Sequence, residues 1–146
     1  MAFGSSLIGP WLQAYPWKHV VFLNKQLCRE SKLPFGPSNG HDTAKIEWES
    51  FYKTNMDFEQ MIDRCRKILA MRPFLSLNEK TFARIAKFIA KEIVKNVDPL
   101  WAKEYVDAVE CCVKGELPLQ DFHKIHAEIV TRLRTAEKAM ALDVVS

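Results

Sequence analysis

The sequence predicts an all-α fold: five or six helices with short connectors, elongated, ending in a heptad-like C-terminal helix. Three observations carry this. Apolar residues recur at helical spacing through most of the chain. Glycine is scarce, five in 146 residues, whereas an all-β chain needs many turns. Proline, serine and aspartate fall where helices begin and end.

Composition sets the class. Hydrophobic residues make up 48% and charged residues 27%, an ordinary globular balance with room for one domain and a modest core. Net charge is +3, with acidic residues interleaved among basic ones. The densest basic group, Arg64, Arg66, Lys67 and Arg72, flanks an apolar stripe and reads as a solvated helix face. No nucleic-acid partner is expected, because such binders gather Lys and Arg on one face or in a run. Cys28, Cys65, Cys111 and Cys112 lack any framework spacing, which suits a reducing compartment. No apolar run approaches the roughly 18 residues of a membrane-spanning helix.

The elements follow in order. Residues 1–16, with Pro10, Pro16, Gly4 and Gly9, form an irregular apolar arm expected to lie against a surface. The arm lacks the early basic residues of a signal peptide and the arginines of a transit peptide. Residues 17–146 form the helical domain. A first helix runs from Pro16 to about Lys32, with Pro16 suited to the first position. The stretch from Leu33 to Asp42, holding two prolines and two glycines, is a loop. Asp42 or Thr43 caps the next helix, in which Ile46, Phe51 and Tyr52 share a side and Trp48 falls off it. Phe58, Met61, Ile62, Cys65, Ile68 and Leu69 give the clearest helical stripe, stopped by Pro73. Ser76 and Glu79 have capping-box spacing and open a helix through Phe82, Ile85, Phe88/Ile89 and Ile93 to about Val97. Asp98-Pro99 starts another, which Gly115 stops. The last begins near Pro118 or Leu119, and Phe122, His126, Ile129, Leu133, Ala136 and Met140 are spaced 4, 3, 4, 3, 4 along it. That seam is either internal core or a contact with a foreign helix; its narrowness and polar flanks suit the second, and burial in general the first.

Residue types that carry chemistry do not assemble locally. His123 and His126, with Cys111 and Cys112 upstream, miss both zinc-ligand spacings, so a structural histidine and buried thiols are expected rather than a metal. No cysteine sits in a nucleophile context. Glu47 and Glu49 are two apart and face different ways on a helix. No glycine-rich phosphate loop exists, so no cofactor is expected.

The stretch "IEWESF", Ile46 to Phe51, resembles the segment that marks subunit d of the mitochondrial F-type ATP synthase: apolar, acidic, aromatic, two variable residues, aromatic. Glu47 stands for the usual Asp and Phe51 for the usual Tyr. A helix with "FLNKQL" precedes it across a proline-containing loop. A following helix ends in Arg72-Pro73, and "LPLQDFHKI" is similar to that family's late turn. Order and spacing agree over roughly 20–128. The family's long polar middle helix is here more apolar and split by Asp98-Pro99, and its Trp/Pro-rich tail is missing.

The resemblance implies a non-catalytic stator subunit on the matrix side of the inner mitochondrial membrane, without a transmembrane helix. Such a subunit packs on the long stalk helix of subunit b and helps hold the catalytic head stationary. It implies partner-packing roles for Ile46, Trp48 and Phe51, and for the seam residues Phe122, Ile129, Leu133 and Met140. Trp48 would meet either a neighbouring subunit or a returning segment of this chain. Alternatives are an accessory helical subunit of another respiratory complex, a helical adaptor for a partner helix, or a small helical enzyme with a Cys/His site.

Overall fold

Burying one apolar face of each segment against the others gives the observed architecture. The computed structural model describes the backbone of residues 7–145 and the side chains of residues 7–135. Among the described residues the chain forms six helices: α1 (Trp17–Ser31), α2 (His41–Phe51), α3 (Phe58–Ala70), α4 (Asn78–Ile93), α5 (Pro99–Val113) and α6 (Leu119–Val145). The fold is all-α apart from a two-stranded antiparallel ribbon, β1 (Ile8–Gly9) with β2 (Met56–Asp57), in the register Ile8↔Asp57 and Gly9↔Met56. None of these helices is long and apolar enough to cross a membrane.

Two of the local signals, one start and one stop, act as expected. Asp98 accepts a hydrogen bond from Leu100 N–H at 3.0 Å, with Pro99 in the first turn of α5. Gly115 takes a positive φ of 82° just past that helix. The apolar stripe of α3 buries Phe58, Met61, Ile62, Cys65 and Ile68. A capping box that the sequence reading missed starts it: Asp57 accepts from Gln60 N–H at 2.8 Å, and the Gln60 side chain accepts from Asp57 N–H at 3.0 Å.

Two predicted starts are corrected. Helix α2 is capped by neither Asp42 nor Thr43; it begins at His41, with Gly40 at the N-cap and no side-chain cap. Gly40 is there because a Cβ at that position would lie 2.0 Å from the Met71 carbonyl oxygen. The Ser76–Glu79 box does not form either. Helix α4 begins at Asn78, after Leu77 in the left-handed region at φ 60°. The Asn78 amide turns back instead, accepting from Phe74 N–H at 2.8 Å and donating to Phe74 C=O at 2.9 Å. The amide carries a donor and an acceptor on separate atoms and so closes both backbone groups of Phe74 at once. Helix α4 also stops at Ile93 rather than near Val97, and Phe88 faces outward.

The described part of the arm, residues 7–16, packs on this chain's own core. Leu12 is fully buried, and the Trp11 ring meets Phe58 edge-on at 5.9 Å. The predicted loop between α1 and α2 is likewise fastened down: Ser38 N–H donates to Pro73 C=O at 2.9 Å and Leu75 N–H to Gly36 C=O at 3.0 Å.

Asn78→Ala leaves a buried N–H and C=O of Phe74 without partners, and we expect a loss of about 2–4 kcal/mol in urea unfolding at about 1–2 kcal/mol per group. Ser76→Ala should stay within about 0.5 kcal/mol, since the hydroxyl caps nothing. A Ser76→Ala loss near 1 kcal/mol, the size of a working N-cap, would contradict this start for α4.

Candidate functional site

The residues singled out by sequence divide sharply. On α2 the buried positions are Ala44, Trp48 and Phe51, at i, i+4 and i+7. Ile46, placed by the sequence reading on the packed side, is 70% exposed. Trp48 is therefore on the core face and not off it. Its ring lies among Trp17 at 6.2 Å, Phe51 at 5.6 Å and Phe82 at 5.9 Å, and its Nε1–H donates to Tyr15 C=O at 2.8 Å. The partner of this tryptophan is a returning segment of its own chain. Phe51 is buried too, under the Arg64 guanidinium at 5.2 Å.

The seam of α6 is core at its N-terminal end. Phe122, His126 and Ile129 are buried, and Leu133 is half-buried against the same core. Ala136 and Met140 belong to α6 but lie outside the residues whose side chains are described. The roles predicted for Trp48, Phe51, Phe122 and Ile129 as anchors for another subunit thus give way to internal packing.

What sequence reasoning missed is a polar brace across α3, α5 and α6. Tyr105 Oη and His126 Nδ1 share a buried hydrogen bond of 2.9 Å. The His126 ring stacks with Phe58 and Phe122 at 5.8 Å and with Tyr105 at 6.0 Å, and the Tyr105 ring lies tilted against Phe58 at 5.9 Å and Phe122 at 5.8 Å. Glu59, in the first turn of α3, accepts from His123 Nδ1–H at 2.8 Å, and its Oε1 lies 3.9 Å from His126 Nε2. Burial pushes the Tyr105 hydroxyl well above its ordinary range, and the Glu59 charge adds to this. These partners are separated by 21 and 64 residues, so only the fold joins them.

In front of the brace lies an open groove of about 970 Å³ between the starts of α3 and α6, with Glu59, Asp63, Arg66 and His123 on its walls. Its charges are mixed. Two buried thiols, Cys65 and Cys112, lie nearby. Burial raises Cys112, against the opposing pull of Arg66, and burial pushes Cys65 up to about 12. His123 and His126 point at Glu59 and Tyr105 rather than at Cys111 and Cys112. Among the described residues no three His, Cys, Asp or Glu side chains group as metal ligands.

No protein-family model, curated protein or solved structure matches the chain. The geometry of the brace and of the surface is what bears on function.

Trp48→Ala should cost about 3–5 kcal/mol in chemical unfolding, the range for a buried aromatic. Ile46→Ala should cost less than about 0.5 kcal/mol, as an exposed position does. Equal losses would show that the α2 face has been misassigned. A second expectation concerns pH. Folded Cys65 holds its proton up to about 12, while an unfolded thiol releases it near 9. Stability is fully present below pH 9 and falls as pH rises toward 12, by about 2 kcal/mol at about pH 10.5. Cys65→Ala removes that share of the fall, so parallel pH series of unfolding midpoints in the two proteins would contradict it.

Proposed function

We propose that the chain is a non-catalytic structural subunit of the mitochondrial ATP synthase peripheral stalk, on the matrix side of the inner membrane, helping to hold the catalytic head stationary. The observation that carries the non-catalytic half of this reading is the brace. Tyr105, His126, Glu59 and His123 direct their polar atoms at one another across three helices. Side chains that could do acid–base chemistry serve here as cross-ties between α3, α5 and α6.

The choice of assembly rests on the ordered resemblance of "IEWESF", "FLNKQL", Arg72-Pro73 and "LPLQDFHKI" to subunit d. In this fold "IEWESF" supplies the internal anchor Trp48 and leaves Ile46 outside. A stalk helix would therefore meet exposed α2 at Ile46, and α6 from Leu133 onward, rather than the buried half of the seam. A stator needs such laterally braced helices, since its task is to resist torque.

The test is an affinity-tagged copy of this chain expressed in its own cells. We expect it to co-migrate with ATPase activity on native gels and to be present in purified ATP synthase. Its absence from that enzyme would end the stalk reading, and co-migration with a different respiratory complex would transfer the chain to that complex.

A further inference from the structure

Helix α4 has two faces of opposite character. Phe82, Ile85, Ala86 and Ile89 are buried. On the other side stand Lys80, Arg84, Lys87 and Lys91, spaced 4, 3 and 4, which aligns them on one face along about 16 Å of helix. They line a groove of about 440 Å³, joined there by Arg72 and by Lys114 just past the end of α5.

The carboxylates in this groove are Glu79 and Glu110, so six cations less two anions leave +4, against +3 for the whole chain. The positive balance of the protein is thus concentrated in one groove, and the remainder sums to −1. Glu110 is divided between two lysines, Lys87 and Lys114, at 3.7 Å from each. Phe88 stands 44% exposed in the same wall, with the Arg84 and Lys91 cations 5.8 and 5.9 Å from its ring centre.

Lys87 and Lys91 also line a second groove of about 500 Å³, which continues between α4 and α5. Val94, Val97, Pro99, Ala102 and Val106 make its lining largely apolar, with Lys95, Lys103 and Asp107 as its further charged residues. The sequence reading found no clustered basic face because these lysines are separated by the buried residues of their own helix.

We propose that the α4–α5 groove docks an acidic amphipathic helix of a partner protein. Charge complementarity fixes the polar side: carboxylates repeating at i, i+4, i+7 and i+11 on the partner would face the four cations of α4 in turn. The adjoining trough and Phe88 receive the partner's apolar residues, in the manner of a helix laid in a groove. A nucleic-acid backbone offers nothing to a largely apolar lining, and a flat anionic membrane does not enter a trough between two helices. The inference does not depend on which assembly holds the chain, so it stands or falls separately from the stalk reading.

The test uses fluorescence anisotropy on the full chain with three probes. These are a fluorescein-labelled helical peptide with Glu at i, i+4, i+7 and i+11 beside a leucine face, a single-stranded DNA 20-mer, and phosphatidylserine vesicles. A scrambled peptide of the same composition is the control. We expect the patterned peptide to bind at least tenfold more tightly than the scrambled one, and to weaken as salt rises. Arg84→Glu with Lys91→Glu should reduce its affinity at least tenfold. Lys18→Glu with Lys45→Glu, the same charge change on exposed positions outside both grooves, should alter it less than about twofold more than the general change in net charge does, which a titration with free polyglutamate reports. Circular dichroism checks that each variant is folded. The proposal is overturned if the patterned and scrambled peptides bind alike, if the α4 variant binds as the wild type does, or if DNA or vesicles bind more tightly through the same two residues.

Discussion

Between α3 and α4 the backbone reverses through Met71–Leu77 with two non-glycine residues, Arg72 and Leu77, in left-handed conformations at φ 48° and 60°. Each costs about 1–2 kcal/mol. Two buried amides hold the connector in that shape. Asn24 of α1 donates to Ser76 C=O at 2.8 Å and to Thr81 Oγ1 at 3.0 Å, and Asn78 closes both backbone groups of Phe74. The loop ahead of α2 adds two bonds, Ser38 N–H donating to Pro73 C=O and Gly36 C=O accepting from Leu75 N–H. Phe74, fixed by these bonds, stacks on Trp17 at 5.6 Å and on Phe82 at 6.3 Å. The polar clamp and the aromatic cluster are therefore two faces of one connector, and α1, α2, α3 and α4 are all referred to it.

This arrangement has a consequence at the surface. The connector sets both the start of α4 and the position of Arg72, which stands among the cations of α4. Like charges crowded along one groove repel one another, which favours expansion. The buried face of the same helix resists it, with Phe82, Ile85 and Ala86 fully enclosed. Helix α4 is thus held by its apolar side in a position its charged side alone would not choose. A surface kept in that condition is poised to gain from an anionic partner.

Much of this was legible in the sequence where the signal is local. The stripe of α3, the Asp98-Pro99 start and the Gly115 stop depend on residues within a few positions of one another. The face of α2 was misread because its stripe begins with Ala44, too small to register, while the larger Ile46 drew the pattern onto the wrong side. The start of α4 was misread because Ser76 offers a local cap, and a side chain two residues on bonds the connector instead. Asn24 with Thr81, Tyr105 with His126, and Glu59 with His123 are pairings across 57, 21 and 64 residues, for which a single chain carries no local mark. The cationic face of α4 was present at readable spacing, but its meaning depended on knowing which side α5 covers.

The C-terminal seam shows how the fold decides between two readings of one pattern. A helix that only zips onto one partner needs apolar residues at a and d and little else. Here Val130 is buried beside Ile129, and Ile125 packs on the core beside Phe122. With Leu133 these positions run i, i+3, i+4, i+7, i+8 and i+11 from Phe122 once His126 is counted, the broad stripe of a helix set into a globule. His126 is the test of that assignment, because a core position rarely tolerates an imidazole. Tyr105 supplies the missing bond from α5, and three aromatic rings enclose it. A histidine in a seam facing solvent or a foreign helix would need neither. The first half of the seam is therefore committed to this chain's interior by its one polar residue as much as by its apolar ones.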